Sequence, residues 1–475
     1  MGQPVEELSG TPGKGQPVVF TICARNYLPQ ASLLVASVAQ HHPGLKVLVF
    51  VLDAQGDEAE IQTFLGVPVV SGADLGLPTF FDMAIRYDIL EFSTAIKPAC
   101  FQYVFGTGAP WAIYLDPDME VLQPLREVEA RLARGAQAVI TPHITQPLDM
   151  QHDPTELKLI RTGIYNLGFA AIANTEEAHR FVQWWADRMP TDCRVDLDAG
   201  IFVDQKYVDL MPSYLPRTDI LRHRGYNVAY WNLAHRPLHR SADGPWMIDD
   251  DPAVLMHYSG IRADDADIVS VHQNRLTVSD LGEGRALFAD YRERLKAQQT
   301  ALNRSGIATQ YAFGTFTSGE TITRLMRDVY ARTVPPTRAA YADVFSLEKA
   351  SCVHGATGLT HRAAHLISPI MFDLWNRKAH LQAAFDLKSP ASAERFAVWF
   401  AETGHREFGI AKAFVPHAVW EVRQERKSLK ARWALTTLRM IEWGKKTAFL
   451  YPKPFRRAAA RTVRRALPHI ARRIR

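Results

Sequence analysis

Residues 111–118 read Trp111-Ala112-Ile113-Tyr114-Leu115-Asp116-Pro117-Asp118, an apolar run that ends in two carboxylates one residue apart. A short apolar run bounded by a turn signal is typical of a buried β-strand. In open α/β sheets, ligands collect in the crevice beyond the carboxyl ends of the strands. At that position Asp116 and Asp118 offer hard oxygen ligands for a Mg²⁺- or Mn²⁺-like ion that carries a diphosphate. The segment therefore predicts an α/β enzyme that handles a nucleotide diphosphate compound.

The Asp-x-Asp pattern by itself is weak, because it recurs elsewhere in the chain. The other copies are Asp196/Asp198, Asp249/Asp251 and Asp265/Asp267. They lie in polar, turn-like surroundings, where Asp favours bonds between its side chain and the nearby backbone. The copy at 116–118 ends an apolar strand, so we predict a metal-binding role for that copy and solvated loops for the others.

Apolar, β-branched segments alternate with helical patterns through the first half of the chain. This alternation is the signature of βαβ units and a mostly parallel sheet. The predicted strands cover residues 18–23, 46–52, 112–115 and 138–141, and the predicted helices cover 31–41 and 58–65. The sequence has neither Gly-x-Gly-x-x-Gly after the first strand nor a Gly-x-x-x-x-Gly-Lys-Ser/Thr motif. A dinucleotide dehydrogenase and a P-loop NTPase are therefore disfavoured.

The β pattern fades after about residue 330, where Val334-Pro335-Pro336 supplies a break. Helical patterns follow at 368–384, 392–402 and 418–427. We therefore predict four segments: a disordered leader at 1–17, an α/β catalytic domain at 18–330, a helical accessory module at 331–450 and a basic tail at 451–475.

Composition indicates a soluble globular enzyme, since 47% of the residues are hydrophobic and 22% are charged. No apolar run approaches the roughly 18 residues needed to span a bilayer, and residues 1–17 lack the apolar core of a signal peptide. The four cysteines are scattered and form no Cys-x-x-Cys pair, so neither a zinc knuckle nor a disulfide framework is predicted. These features predict a cytoplasmic protein.

The basic surplus of the chain is concentrated in its tail. Of the 55 Lys and Arg residues, nine lie in 451–475, which leaves 46 against 50 Asp and Glu elsewhere. The mildly acidic body argues against a specific nucleic-acid-binding face. In the tail, apolar residues fall on one helical face and most arginines on the other, which predicts peripheral docking on the anionic inner membrane surface. Nucleic-acid binding and a solvated terminus are the alternatives, and Pro468 interrupts the helix.

Three further motifs follow the Asp-x-Asp segment. In Tyr-Asn-Leu-Gly-Phe, Asn166 and Gly168 precede an apolar strand, which suits amide hydrogen bonds to a sugar and close backbone approach. Phe-Val-Asp-Gln places Asp204 and Gln205 in apolar company, and Val-Leu-Met-His-Tyr-Ser-Gly at 254–260 is a strand that ends in His and Gly.

This order of motifs resembles the GT-A-fold retaining glycosyltransferases of glycosyltransferase family eight, the group of glycogenin and bacterial lipopolysaccharide galactosyltransferases. That family has a nucleotide-binding first strand, a Lys or Arg upstream of Leu-Asp-x-Asp, then Phe-Asn-x-Gly, Asp-Gln and His-x-x-Gly. The corresponding positions here are 20–27, Lys97, 115–118, 165–168, 204–205 and 257–260. The resemblance covers residues 18–265 and implies a GT-A fold, which is Rossmann-like with a mostly parallel sheet.

The resemblance implies roles for these residues. Asp116, Asp118 and His257 would bind Mn²⁺ or Mg²⁺, with Asp118 the more direct ligand. The residues that would contact the nucleotide-diphosphate sugar are Ala24, Asn26 and Tyr27 in the first-strand loop, Lys97, Asp116, Asn166, Gly168 and Gly260. Asp204 would bond the sugar hydroxyls, and Gln205 would lie closest to the reacting carbon.

Two departures from the family pattern limit these expectations. The Lys-Pro-Trp that follows His-x-x-Gly is absent, since Gly260 is followed by Ile-Arg-Ala. Arg262 is the nearest candidate for the phosphate contact that this Lys makes in the family. The first-strand loop Ala-Arg-Asn also differs from the usual Ala-x-Asp, so the nucleotide base is not predicted.

The predicted function is transfer of a sugar to a glycan, lipid-linked or other hydroxyl acceptor, with retention of configuration. A nucleotidyltransferase is an alternative, but it would normally show a Gly-rich, basic loop after the first strand, and residues 23–29 contain no Gly. A glycan-binding scaffold without turnover is a second alternative. An idle site has no physical need for adjacent carboxylates, which disfavours it.

Overall fold

The computed structural model describes residues 15–241 and 244–447. The chain divides into two compact units, Met1–Ser346 and Leu347–Arg475. The predicted tail at 451–475 lies outside the described residues, as does all but the end of the predicted leader.

The first unit contains all the strands of the described residues. They are β1 (Val18–Cys23), β2 (Lys46–Val51), β3 (Val69–Ser71), β4 (Trp111–Leu115), β5 (Met119–Val121), β6 (Ala138–Pro142), β7 (Tyr165–Ala173), β8 (Val195–Asp196), β9 (Ile201–Phe202), β10 (Thr218–Ile220), β11 (Leu238–Arg240), β12 (Trp246–Ile248), β13 (Asp251–Pro252) and β14 (Leu255–His257).

Its helices lie between and after these strands. They are α1 (Leu28–His41), α2 (Glu58–Leu65), α3 (Phe80–Arg86), α4 (Ile89–Ala95), α5 (Lys97–Gly106), α6 (Arg126–Ala133), α7 (Glu156–Thr162), α8 (Glu176–Ala186), α9 (Met189–Asp192), α10 (Gln205–Val208), α11 (Met211–Tyr214), α12 (Gly284–Ser305), α13 (Arg324–Thr333) and α14 (Tyr341–Val344).

Seven strands form the central sheet in the order β10-β6-β7-β4-β1-β2-β3. β7 runs antiparallel to its neighbours β4 and β6, and the other pairs are parallel. All six residues of β1 are buried, as expected of a strand covered on both faces. The predicted α/β class and mostly parallel sheet are confirmed. The parallel strands β1 and β4 bring their carboxyl ends to one edge of the sheet, where Asp116 follows β4.

A two-stranded antiparallel ribbon, β5 with β14, extends this edge. His257 pairs with Met119 in its register, and the backbone N–H of Tyr258 donates to the carbonyl of Asp118 at 2.9 Å. The Tyr258 hydroxyl also donates to Glu120 at 2.9 Å, and its ring stacks on Tyr291 of α12 at 3.7 Å. These contacts place the His257 strand beside the turn that carries the two aspartates.

Helix α4 lies at the same edge and begins with a capping box. The Asp88 side chain accepts from the backbone N–H of Glu91 at 3.0 Å, and the Glu91 side chain accepts from that of Asp88 at 3.2 Å. Such reciprocal bonds satisfy two backbone donors that a helix start leaves unpaired. The cap fixes where the helix begins, and its later residues Ser93 and Thr94 reach the site described below.

The regular elements of the second unit are all helices within its described residues, as the sequence predicts. Its helices are α15 (Ser351–His354), α16 (Pro369–Arg377), α17 (Ala379–Ala384), α18 (Pro390–Trp399), α19 (His405–Glu407) and α20 (His417–Thr447). In the described parts of both units, no helix combines the length and the apolar character that a membrane span requires.

Candidate active site

Asp116, Asp118 and His257 converge at the carboxyl edge of the sheet. The Nε2 atom of His257 lies 3.1 Å from Oδ1 of Asp118 and 3.6 Å from Oδ2 of Asp116. One ligand atom from each side chain lies within 4.8 Å of the others, and no other group of three His, Cys, Asp or Glu residues in 15–241 and 244–447 does this. Two carboxylates and one imidazole are a donor set that fits a divalent ion such as Mn²⁺.

The imidazole of His257 is oriented by Asn227. Nδ1 of His257 lies 3.1 Å from Oδ1 of Asn227. The Asn227 amide nitrogen donates to Oγ1 of Thr141 at 2.8 Å and to Oδ1 of Asn166 at 2.9 Å, so its carbonyl oxygen must face the histidine. Nδ1 is therefore the donor to Asn227, and Nε2 faces the carboxylates. A fixed partner of this kind sets the ring orientation of metal-binding histidines.

The charges at the site perturb one another. Burial alone would lower the pKa of His257, but Asp118 and Asp116 outweigh it and raise the pKa above its usual value. Burial raises the pKa of Asp116, against the opposing effects of Lys97 and His257. The Tyr114 hydroxyl also donates a hydrogen bond to Oδ1 of Asp116. Two acidic groups held this close favour an added cation.

Asn166 and Gly168 lie behind His257. Oδ1 of Asn166 accepts from the backbone N–H of Gly168 at 3.1 Å as well as from Asn227. A Cβ atom on Gly168 would lie 2.4 Å from Cε1 of His257, so a side chain at this position would collide with the ring. The group that closely approaches Gly168 in the structure is the ring of His257. The side chain of Asn166 is buried.

Lys97 and Asp204 form a buried ion pair. Nζ of Lys97 lies 2.8 Å from Oδ2 of Asp204, donates to the Leu167 carbonyl at 3.1 Å and sits 4.4 Å from the centre of the Tyr114 ring. Burial raises the pKa of Asp204, against the opposing charge of Lys97. Tyr114 links this pair to the metal site, because its ring contacts Lys97 and its hydroxyl donates to Asp116.

The side chain of Gln205 is buried and hydrogen-bonds to both strand β7 and helix α7. Its Oε1 accepts from the backbone N–H of Leu167 at 3.0 Å and from the Asn166 amide at 3.4 Å. Its Nε2 donates to the carbonyl of Thr162 at 2.9 Å. The structure therefore joins Asn166, Asp204 and Gln205 around β7, directly behind the three candidate metal ligands.

A cavity of about 240 Å³ opens in front of the carboxylates. Among the predicted site residues, its lining includes Ala24, Tyr27, Asp116, Asp118, His257 and Gly260. Helix α4 contributes Ile89, Leu90, Ser93 and Thr94 to the lining. Asn26 is exposed but does not line the cavity, and neither does Arg262.

Sequence reasoning missed three residues of this site. The sequence predicts Tyr114 only as part of the strand, and it predicts no role for Asn227 or His272. Asn227 has a φ of 52°, a left-handed conformation in which Asn is enriched, but this conformation is visible only in the structure. The other two positions follow from the fold, because His272 enters the cavity from a loop after β14.

The other Asp-x-Asp copies lie in loops, except that Asp196 ends the two-residue strand β8 and Asp251 begins the two-residue strand β13, so the predicted loops are wrong at these two positions. Asp196 pairs with Arg194 at 3.3 Å, the Asp198 side chain is fully exposed, and Asp249 pairs with Arg224. Oδ1 of Asp265 accepts from the backbone N–H of Asp267 at 3.1 Å. These are the local and solvated contacts that their surroundings predict.

The known proteins to which this chain is similar share little sequence identity with it. No family model matches the chain. An uncharacterized protein, YfnD of Bacillus subtilis (strain 168), is 24% identical over 245 residues, which cover 50% of this chain and 76% of YfnD.

Several solved structures to which the chain is similar are glycosyltransferases. GlyE of Streptococcus pneumoniae TIGR4 is 16% identical, with 61% of this chain and 63% of that chain covered and a TM-score of 0.35. The galactosyltransferase LgtC is 15% identical, with 58% and 95% covered and a TM-score of 0.35. Similarity at this level assigns no activity to this chain.

Proposed function

We propose that this chain is a metal-dependent glycosyltransferase that moves a sugar from a nucleotide-diphosphate sugar to a hydroxyl acceptor. The observation that carries the proposal is the convergence of Asp116, Asp118 and His257 on a cavity at the carboxyl edge of the sheet. In α/β sheets this edge is where ligands bind. The order of the motifs along the sequence supports the same assignment.

Asp116, Asp118 and His257 would hold the ion, either Mn²⁺ or Mg²⁺. When bound, a divalent ion stabilises negative charge on the leaving nucleoside diphosphate. Asn227 keeps Nε2 of His257 turned toward the carboxylates, and the packing of Gly168 against the ring limits its movement. The protein thus contributes a ligand set that is organised before the substrate arrives.

The first-strand loop and α4 are proposed to form the nucleotide side of the cavity. Ala24 and Tyr27 line it, as does the exposed Leu90 of α4. We propose that Asn26, which is exposed in the same loop, joins these contacts. Gly260 lines the metal end, where the diphosphate would lie.

The residues around β7 are proposed to act on the sugar side. From the resemblance we propose that Lys97 contacts the donor and that Asp204 accepts hydrogen bonds from the sugar hydroxyls. Gln205 would lie closest to the reacting carbon. Asn166 and Gly168 would lie along the sugar. Contacts between these residues and the metal site support this proposal. Lys97 pairs with Asp204 and lies against the ring of Tyr114, whose hydroxyl donates to Asp116. Positive charge that develops on the sugar would be stabilised by polar groups placed there in advance. Retention of anomeric configuration is proposed from the resemblance, and analysis of the product anomer tests it.

The test is a panel of nucleotide sugars incubated with the full chain and Mn²⁺. We expect slow donor hydrolysis that releases a nucleoside diphosphate, and faster release when a suitable acceptor is added. Release should stop when the metal is chelated. A donor panel that yields no nucleoside diphosphate with wild-type protein would overturn the proposal. Release of pyrophosphate from a nucleoside triphosphate and a sugar phosphate would identify a nucleotidyltransferase instead.

A measurement of nucleotide binding distinguishes an enzyme that uses nucleotide sugars from a glycan-binding scaffold that binds no nucleotide. A ligand that binds the folded state raises the melting temperature. We expect a nucleoside diphosphate to raise it when Mn²⁺ is present and to have little effect alone. A glycan that raises it equally with or without metal, while nucleotides have no effect, would support the scaffold.

We also propose that the acceptor is a glycan or a lipid-linked molecule and that the enzyme works at the cytoplasmic face of a membrane. The tail at 451–475, with nine basic and no acidic residues, is the segment that would touch anionic lipid. Co-sedimentation with anionic and neutral vesicles, comparing the full chain with one truncated after Leu450, tests this. Binding should weaken with salt. If both proteins stay in the supernatant with anionic vesicles at low salt, the membrane proposal is wrong.

A further inference from the structure

The described residues that line the cavity beside the candidate metal ligands include neither a lysine nor an arginine. Lys97 is buried against Asp204, and Arg262, the replacement expected from the sequence, is exposed and does not line the cavity. A diphosphate binds to cations and to N–H donors aimed at its oxygens. The donors must therefore come from other groups of the lining.

His272 is placed to supply such a donor. It lines the cavity together with Asp118 and Gly260. A Cβ atom on Gly260 would lie 2.5 Å from Cδ2 and 3.0 Å from Nε2 of His272, so the imidazole occupies space that any other residue at 260 would fill. Gly260 has a φ of 74°, which glycine adopts without strain.

The loop around His272 holds the residue in place and leaves its ring free. The backbone N–H of His272 donates to Oγ of Ser270 at 3.1 Å, and the Tyr230 ring lies 5.9 Å from the imidazole. Within the described residues, neither ring nitrogen of His272 makes a hydrogen bond. The second imidazole of the cavity, His257, is already engaged by Asn227 and Asp118.

We propose that His272 donates a ring N–H to the diphosphate of the bound nucleotide, the contact for which the sequence had suggested Arg262. The proposal rests on the proposed function, because it names the residue that binds the diphosphate in that site. His272 is exposed to solvent at the cavity, so a diphosphate that enters can reach the ring. An imidazole carries a ring N–H donor whether it is neutral or charged.

The experiment measures diphosphate affinity by calorimetry with Mn²⁺ present throughout. The ligands are inorganic pyrophosphate, which has no base or sugar, and the diphosphates of uridine, guanosine, adenosine, cytidine and thymidine. The proteins are the full-length wild type, His272→Ala, His272→Gln and the control His417→Ala, whose ring is exposed in the second unit. Melting temperatures and Mn²⁺ affinity without phosphate are measured for each.

We expect His272→Ala to weaken binding of pyrophosphate, and of any nucleoside diphosphate that wild type binds, by about 10-fold, as for loss of a hydrogen bond to a charged group. His272→Gln keeps an N–H donor and should recover most of the affinity. The control, the melting temperatures and the Mn²⁺ affinity should not change.

Equal pyrophosphate affinity in wild type and His272→Ala would overturn the proposal. An equal fall in Mn²⁺ affinity would also overturn it, because His272 would then act on the metal. If wild type binds pyrophosphate through His272 but binds no nucleotide, the proposed function fails, while the role of His272 as a donor to a diphosphate group stands. If wild type binds neither ligand, both fail.

Discussion

Asn227 holds His257 from the side opposite the carboxylates, with its Oδ1 atom 3.1 Å from Nδ1 of the imidazole. The two residues are 30 positions apart in sequence. Asn227 reaches this position in a left-handed backbone conformation, with its amide nitrogen bonded to Thr141 and Asn166. The orientation of one candidate metal ligand therefore depends on a residue that does not itself face the metal site.

Asn227→Gly should weaken Mn²⁺ affinity by about 10- to 100-fold, the usual effect of losing the partner that orients a metal-binding histidine. Glycine is the proper substitution because it accepts the φ of 52°, whereas alanine would add backbone strain. Calorimetric titration of Mn²⁺ with a nucleoside diphosphate present measures the effect. His257→Ala should lose at least as much affinity. A well-folded Asn227→Gly protein with wild-type affinity would contradict this account.

Gly168→Ala should impair the site by displacing the ring of His257. The added Cβ would lie 2.4 Å from Cε1 of that ring, and 2.8 Å from Oδ1 of Asn166. Overpacking of this kind costs about 1–3 kcal/mol of stability, and we expect metal affinity to fall with it. Gly106→Ala is the matched control, since nothing lies within 4 Å of its Cβ position and its φ is ordinary. Thermal unfolding and Mn²⁺ titration of both variants measure the difference, which should be absent if the ring can move aside freely.

Asp118→Asn should reduce sugar transfer by on the order of 10²-fold or more while the fold stays intact, because a neutral amide holds the cation poorly. Asp198→Asn makes the same chemical change in a fully exposed Asp-x-Asp copy and should have almost no effect. Initial rates at saturating donor, with circular dichroism as the check on folding, compare the two. Similar rates would refute the assignment of the 116–118 site.

His143 should make the protein less stable as the pH falls from 6.5 toward 4. Burial lowers the pKa of its imidazole from the ordinary 6.5 to about 4. Its Nε2 lies 3.3 Å from the Asn166 amide nitrogen and Nδ1 lies 3.2 Å from the Ile164 carbonyl, an arrangement that suits a neutral ring. In this pH range the unfolded chain takes up a proton that the folded chain does not, so stability is lost progressively.

The depressed pKa of His143 reduces the free energy of unfolding by roughly 3 kcal/mol by pH 4. His143→Gln carries a side chain that does not titrate and can still donate and accept. Urea unfolding from pH 8 to pH 4.5 should therefore show a steeper loss of stability for wild type than for the variant. Parallel curves would show that His143 does not set this dependence.

Much of the fold could be read from local patterns. Apolar runs such as 18–23 and 111–115 predicted strands correctly because a strand buried on both faces must be apolar along its whole length. The sequence also placed Asp116 and Asp118 at the end of a strand, and strand ends in a parallel sheet share one edge. His257 joins them through the antiparallel pairing of β14 with β5, which the motif order implied only by resemblance and the tertiary structure established.

The surroundings of these residues were decided by tertiary structure. Asn227 lies behind His257 because an isolated bridge sets Val228 against Met256, and nothing in either segment alone indicates this pairing. His272, and not the nearer Arg262, enters the cavity because the loop after β14 folds back against Gly260. The sequence by itself determined the strands and which side chains end them, since both depend on local burial. Which polar groups meet around those ends depends on the path of long loops, and only packing across the whole unit determines it.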